Sequence, residues 1–471
     1  MSGVDQQVGV DPLDDGAQVA VLGLGVTGRA VSAALRGRGY EVVAIEDRPT
    51  PEIETFADEH ALTLIARPEE SELSDALQGA AAFLPSPGVP ENHPAFEIVA
   101  ETGVPTISEF DLARWWDDRP IAAITGTDGK TSVTLLTVEL LVASGISAAA
   151  VGNTETPLVA AIDDATIDAF VVEASSFRLA HSARFAPSAA AWLNFSPDHL
   201  DVHRSLDDYE AAKAKIWQDL PEDAIAVAPI DDPVVRSHLP SNRSIVSVTA
   251  ESIDPETRDA SERYGEVVGT MLVLDGEELL DVNELPRAFP HDITNALTAA
   301  ALAQHLGATV GGIRAGFRSF ELPPHRIQYV ETIDGVEFYN DSKATVPHAV
   351  TTAIESFESV VLLAGGRNKG IDLKPMSDGG EKVRSVVAIG EAADEIEAAF
   401  DGVAPVVRAD DMNDAIAKCR DAAAPGDVVL LSPGCASFDA YENYTARGDH
   451  FVSIVHTLAT KTKAKAEESP T

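Results

Sequence analysis

The chain has 471 residues, 45% of them apolar, and a formal net charge of −42 at pH 7. That length suits about three domains with an ample core, and the acidity excludes nucleic-acid binding through a general basic surface. Cys419 and Cys435 are too few for a disulfide framework and lack metal-ligand spacing, the acidic stretch Met1 to Asp15 has no leader pattern, and no apolar run nears 18 residues, so a cytoplasmic protein without a membrane span is expected.

Ala17 to Leu22 reads as a strand, Gly23-Leu-Gly25-Val-Thr-Gly28 as a turn, Arg29 to Gly37 as a helix and Tyr40 to Ile45 as a second strand ending at Glu46-Asp47. This is the Gly-x-Gly-x-x-Gly fingerprint in its proper context. Alone it suits a dinucleotide or the diphosphate of a nucleotide sugar. Ala81 to Pro90 is a strand running into a rigid loop, where Ser86 is either a phosphate or sugar contact or a plain turn serine. Trp115-Trp116-Asp-Asp-Arg-Pro120 marks a boundary.

An apolar run from Ile121 to Ile124 then enters Thr125-Gly126-Thr127-Asp128-Gly129-Lys130-Thr131-Ser132, and a leucine-rich helical segment leaves it. Gly126 and Gly129 let backbone N–H groups converge on an anion, and the helix start adds partial positive charge. Lys130 can reach the outer phosphates and Thr131 can ligate Mg²⁺. An ordinary glycine turn with a surface lysine is the competing reading, which the flanking strand and helix disfavour.

About forty residues on, the buried strand Asp168 to Glu173 ends in a carboxylate placed like the acid that completes a nucleotide–Mg²⁺ site. Ala190 to Asn194 leads into Asp198-His199, followed by Asp201 and His203. His199 is either a metal ligand through a neutral ring nitrogen or a solvated loop histidine. Lys213, on the helix Tyr209 to Ile216, reads as a surface lysine on pattern alone. His291 to Leu306 is a helix, and Leu322-Pro-Pro-His-Arg326 marks a second boundary. In the last domain Lys343, Lys369 and Ser437 follow three strands (Val336 to Tyr339, Ser359 to Leu363, Asp427 to Leu431), which suits a carboxylate-bearing ligand. Residues from Thr460 on read as a disordered tail. Strands alternating with helices imply an α/β protein with mostly parallel sheets and ligands at the C-terminal strand ends.

Ile124-Thr-Gly-Thr-Asp-Gly-Lys-Thr resembles the phosphate loop of the Mur ligases, and the likeness runs over roughly residues 17 to 455. Asn340-Asp-Ser-Lys-Ala-Thr, Leu431-Ser-Pro-Gly-Cys-Ala-Ser and Leu322-Pro-Pro-His-Arg resemble the branch that adds D-glutamate; no Asp-Asn-Pro-Arg is present. The resemblance implies three α/β domains: a Rossmann-like UDP-sugar domain (1–118), a central P-loop ATPase-like domain (119–322) and a Rossmann-like amino-acid domain (323–459), with a flexible tail at 460–471. It implies ATP-driven amide formation between UDP-N-acetylmuramoyl-L-alanine and D-glutamate through an acyl phosphate.

By the same resemblance, residues 125–132 and Asn295, Arg326 and Asp341 hold ATP. Thr131, Glu173, His199 and a carbamylated Lys213 hold two Mg²⁺, and Lys130, Glu173, His199 and Lys213 are catalytic. Val26, Thr27, Ser86 and Asn153 contact the UDP-sugar, and Lys343, Thr345, Lys369, Ser437 and Phe438 the D-glutamate. A monomer without nucleic-acid or membrane partners is expected. Asp128, Asp292, Glu155, Tyr444 and Glu46-Asp47 depart from the family pattern. A folylpolyglutamate-type ligase, a non-catalytic nucleotide sensor and an NAD-dependent oxidoreductase are the rival readings. The first-domain turn with Ser86 argues against the first, the set Lys130, Glu173, His199 and Lys213 against the second, and the central phosphate loop against the third.

Overall fold

The computed structural model describes residues 11–154, 156–199 and 202–468; Glu155 and Asp201 lie outside them. The chain divides into two compact units, one up to Phe320 and one from Glu321.

The first unit contains two sheets. Strands β1 (Gln18–Leu22), β2 (Glu41–Glu46), β3 (Thr63–Ala66) and β4 (Ala82–Pro85) pair in parallel in the order β3-β2-β1-β4, and helix α1 (Val26–Gly37) follows β1. The order reverses between β1 and β4, so the crevice at their C-terminal ends is a topological switch point. The Gly23–Gly28 turn and Ser86 both lie there. Gly28 is a packing requirement: a Cβ there would stand 1.9 Å from the Gly23 carbonyl oxygen.

The second sheet runs β13-β12-β11-β10-β9-β8-β5-β7-β6. Its strands are β5 (Ile121–Thr125), β6 (Ala148–Gly152), β7 (Ala169–Glu173), β8 (Ala189–Trp192), β9 (Ile225–Pro229), β10 (Ser244–Val248), β11 (Glu262–Val268), β12 (Met271–Leu274) and β13 (Glu277–Asp281). All pairings from β6 to β11 are parallel, and β12 and β13 add an antiparallel edge. Helices α2 (Lys130–Ala143), α3 (Ser176–Ala180), α4 (Leu206–Ala214), α5 (Pro290–His305) and α6 (Val310–Ser319) lie in this unit. Central strand β5 is buried on both faces, as parallel sheets require. Ala122 and Ile124 pack into one core with Leu140, Leu297 and Phe317; Ile121 and Ala123 pack into the other with Phe170, Trp192 and Trp217.

The second unit is a six-stranded sheet ordered β14-β15-β19-β16-β17-β18: β14 (Gln328–Ile333), β15 (Val336–Asn340), β16 (Val360–Gly365), β17 (Val383–Ile389), β18 (Val406–Arg408) and β19 (Val428–Leu431). Only the β14–β15 pair is antiparallel.

The division at Phe320/Glu321 lies beside the Leu322-Pro-Pro-His-Arg326 segment, and the first two sheets share one compact unit. The stretch from Thr460, expected as a disordered tail, is helical as far as Glu468, where α7 (Tyr444–Glu468) ends. Ala, Lys and Glu are strong helix formers and extend an already nucleated helix without needing a core to pack on.

Candidate functional site

In the first unit the site grows from three neighbouring strand ends. β5 lies between β8 and β7, so the loops after Thr125, Glu173 and Trp192 converge. Gly126 and Gly129 take φ of 157° and 82°, which coils the phosphate loop into the start of α2. Lys130 Nζ donates to the carbonyls of Gly126 and Thr127 at 2.8 Å each. Asn194, just past β8, holds the loop from outside: its Oδ1 accepts from the N–H groups of Thr127 and Asp128, and its Nδ2 donates to the Asp128 carbonyl. A Cβ on Gly129 would sit 3.1 Å from Asn295 Oδ1, which brings α5 to the same loop. Asp292, where the family pattern has Asn, takes both Nε and Nη2 of Arg287 on its carboxylate.

Glu173 is buried at the end of β7. One carboxylate oxygen accepts from Asn153 Nδ2 at 2.9 Å; among the described residues the other has no partner, and neither does the buried hydroxyl of Thr125. An orphaned carboxylate oxygen and an orphaned hydroxyl beside a phosphate loop fit a divalent cation. Among the described residues no cluster of three His, Cys, Asp or Glu could hold a metal by itself. This donor set therefore suits Mg²⁺, which is commonly held by one or two carboxylates together with substrate phosphates.

Lys213 on α4 is buried, and its Nζ donates to the Gly126 carbonyl at 2.6 Å. Burial and the nearby Lys130 charge push its pKa well below the usual lysine value. Tyr209, one turn earlier, lies under that Nζ (4.6 Å from its ring), touches the Thr127 hydroxyl (3.2 Å) and approaches the His199 ring edge-on at 6.1 Å. His199 has φ of 57° and pairs with Asp198 at 3.2 Å. Lys130, Lys213 and His199 thus gather around Tyr209 and the phosphate loop.

At the first-sheet switch point the Ser86 hydroxyl donates to the Gly23 carbonyl at 2.6 Å. Glu46 accepts from the N–H groups of Leu24 and Arg48, and Val26 is exposed. Thr27 is buried and accepts from Arg178 Nη2 at 3.0 Å, while the other arm of Arg178 pairs with buried Glu109. Burial lowers the Arg178 pKa to about 10. Asn153 lies at the central sheet on Glu173.

In the second unit, β15, β19 and β16 are parallel neighbours, so the loops carrying Lys343 and Thr345, Ser437 and Phe438, and Lys369 follow adjacent strand ends. Arg447 on α7 ties them together. It is buried and donates to the hydroxyl and carbonyl of Ser342 and to the Cys435 and Gly365 carbonyls. Lys343 lies over the Tyr444 ring at 5.1 Å. Phe438 and Lys369 are exposed and Ser437 is buried. Asp341 is committed to the fold: it accepts from the Ile327 N–H and the Ser432 hydroxyl, fixing the segment that carries Arg326.

The sequence places Asn194 at a ligand-collecting strand end without giving it a role, and leaves Tyr209, Glu109, Arg178 and Arg447 unmarked. Asn194 carried a weak signal, a polar residue at the end of a buried strand. The partners of the others are set by the fold.

Residues 124–303 match the family model of the Mur ligase middle domain, and residues 325–435 that of the Mur ligase glutamate ligase domain. The UDP-N-acetylmuramoylalanine–D-glutamate ligase of Frankia casuarinae is 39% identical over 456 residues, covering 93% of this chain and 94% of its own. The enzyme of that name from Salinibacter ruber is 37% identical over 459 residues, covering 94% and 98%. Among solved structures, a pseudomurein peptide ligase type C from Methanothermus fervidus superposes with a TM-score of 0.57 at 17% identity, covering 94% of this chain and all of that one. MurF from Acinetobacter baumannii gives 0.55 at 16% identity, covering 94% and 92%. The solved structures share the fold and the sequence relatives share the sequence along almost its whole length; the chain belongs to the Mur ligase family.

Proposed function

We propose that this Mur ligase joins the carboxylate of UDP-N-acetylmuramoyl-L-alanine to the amine of D-glutamate at the expense of ATP. ATP phosphorylates the alanyl carboxylate, the amine attacks the acyl phosphate, and inorganic phosphate leaves as the tetrahedral intermediate collapses. The observation that carries the reading is the orphaned, buried oxygen of Glu173 beside a glycine-formed phosphate loop with Lys130 at its helix start.

Lys130 swings from its own loop carbonyls to the transferring phosphoryl group and, with the N–H groups of residues 125–132, offsets its charge. Asn295 and Arg326 contact the nucleotide, and Asp341 acts by fixing the Arg326 segment. Thr131 and Glu173 hold one Mg²⁺, which supplies charge neutralisation at the phosphates. His199 holds a second together with Lys213 as a carbamate. That modification needs a neutral amine to attack CO₂, forming an N–C bond and releasing a proton, and the burial that lowers the Lys213 pKa favours that form. Val26 and Thr27 lie at the diphosphate, Ser86 and Asn153 contact the UDP-sugar, Asn153 also donating to Glu173, and Lys343, Thr345, Lys369, Ser437 and Phe438 form the D-glutamate pocket.

The test is phosphate release from ATP with both substrates. Release should require both, match the amide product in amount, and drop by about 10²–10³ in Lys130→Ala, the usual cost of one preorganised transition-state donor. ATP turnover indifferent to either substrate, or normal turnover in Lys130→Ala, would contradict the reading.

A further inference from the structure

The loop that begins at Ser86 runs on to Glu91, whose carboxylate reaches the segment after His199 across 112 residues of chain. Glu91 Oε1 lies 2.8 Å from His203 Nδ1, and His203 Nε2 lies 2.9 Å from the Ser176 hydroxyl, three residues past Glu173. With a carboxylate on Nδ1 that nitrogen donates, and in the neutral ring Nε2 accepts from Ser176. The His203 side chain is 1% exposed. Arg204 adds a backbone N–H to the carboxylate and a guanidinium bond of 2.7 Å to the Glu91 carbonyl.

His203 and His199 are the two ends of one turn, since the N–H groups of Val202 and His203 both donate to the His199 carbonyl. Phe177 stacks on the His203 ring at 5.3 Å and meets the His199 ring edge-on at 4.7 Å. His199 itself is held at positive φ, a conformation that persists in a non-glycine residue only when its surroundings impose it. The Glu91–His203 contact holds the far end of that turn from the side of the first sheet.

We propose that Glu91 and His203 are positioning residues whose contact clamps the His199 turn to the Ser86 loop, so that a UDP-sugar engaged at Ser86 tightens the binding of a divalent cation at His199. The inference deepens the proposed function and rests on its assignments of Ser86 and His199. The coupling is reciprocal: the cation tightens the UDP-sugar by the same factor.

The test measures the activation constant for free Mg²⁺ at fixed MgATP, by phosphate release, at limiting and at saturating UDP-N-acetylmuramoyl-L-alanine. In the unaltered enzyme the constant should fall about fivefold or more on saturation, the lower end of usual coupling. In Glu91→Ala and in His203→Phe that change should vanish while kcat at saturating Mg²⁺ is largely kept, and the double variant should be no worse than either single one. Variants that keep the full coupling, or that lose kcat without any change in Mg²⁺ dependence, would overturn the proposal. Glu91 is on a loop and its loss leaves no cavity in a core, so it carries the test if His203→Phe does not fold. Hydrogen exchange gives a readout independent of turnover: the Val202 and His203 amides should exchange faster in Glu91→Ala, and unchanged exchange would overturn the clamp. An unaltered enzyme that releases no phosphate with this substrate pair would instead defeat the proposed function, leaving the exchange comparison to decide the clamp.

Discussion

Lys213 shows how much a single residue's meaning depends on burial. On pattern it is a surface helix lysine, yet it is buried against the phosphate loop with its charge disfavoured. If it acts as a carbamate, Lys213→Ala should lose most activity and regain part of it with short carboxylic acids that refill the anionic position; full activity without them would remove the role. Lys343 and Lys369 are argued from charge. D-Glutamate brings two carboxylates and an amine that must stay free to attack, and a charge-assisted hydrogen bond is worth about 1.5–3 kcal/mol. Lys343→Ala and Lys369→Ala should each raise KM for the amino acid about tenfold or more, with a smaller effect on KM for ATP; two unchanged amino-acid KM values would refute the pocket. The places of Lys130 and Thr131 at the start of α2 and of Glu173 at the end of β7 were legible because glycine spacing and strand ends are local signals. Arg178 and Arg447 were not: their partners Glu109 and Ser342 lie 69 and 105 residues away, and no local pattern distinguishes a buried guanidinium from a surface one.

At the scale of elements, the parallel strands and the helices after them could be read because apolar runs alternate with 3.6-residue periodicity. The antiparallel pairs β12–β13 and β14–β15 were missed, although Asp275-Gly276 and Asp334-Gly335 join them with positive φ at both residues. Asp-Gly between strands is the local signature of such a hairpin. The junction between the two sheets of the first unit has no local signature. It is spanned by the ion pair of Glu109, on the helix after Ser108, with Arg178 on α3. Both groups are almost fully buried, and removing one partner strands the other's charge. Glu109→Ala should therefore destabilise the protein by about 3–5 kcal/mol, read as a lower urea midpoint, and an unchanged midpoint would mean that the pair carries no such weight. Arg178 also donates to Thr27, so the same variant should weaken UDP-sugar binding.

For the whole molecule, the net charge of −42 sets the conditions under which the fold works. Self-repulsion destabilises the compact state, and salt shortens its range from about 30 Å at 0.01 M to about 3 Å at 1 M. Melting temperature and activity should both rise with KCl over that range; a melting temperature indifferent to salt would point to compositional bias without a salt requirement. Which bond the molecule makes is decided by competition between amino acids. The enzyme is given ATP, Mg²⁺ and UDP-N-acetylmuramoyl-L-alanine with equal D-glutamate, L-glutamate, L-lysine and meso-diaminopimelate, with D-glutamate isotopically labelled, and the UDP-linked product is weighed by mass spectrometry. The product should carry the label of D-glutamate; an unlabelled glutamyl product, one that carries L-lysine or meso-diaminopimelate, or no product at all would rule out D-glutamate ligation.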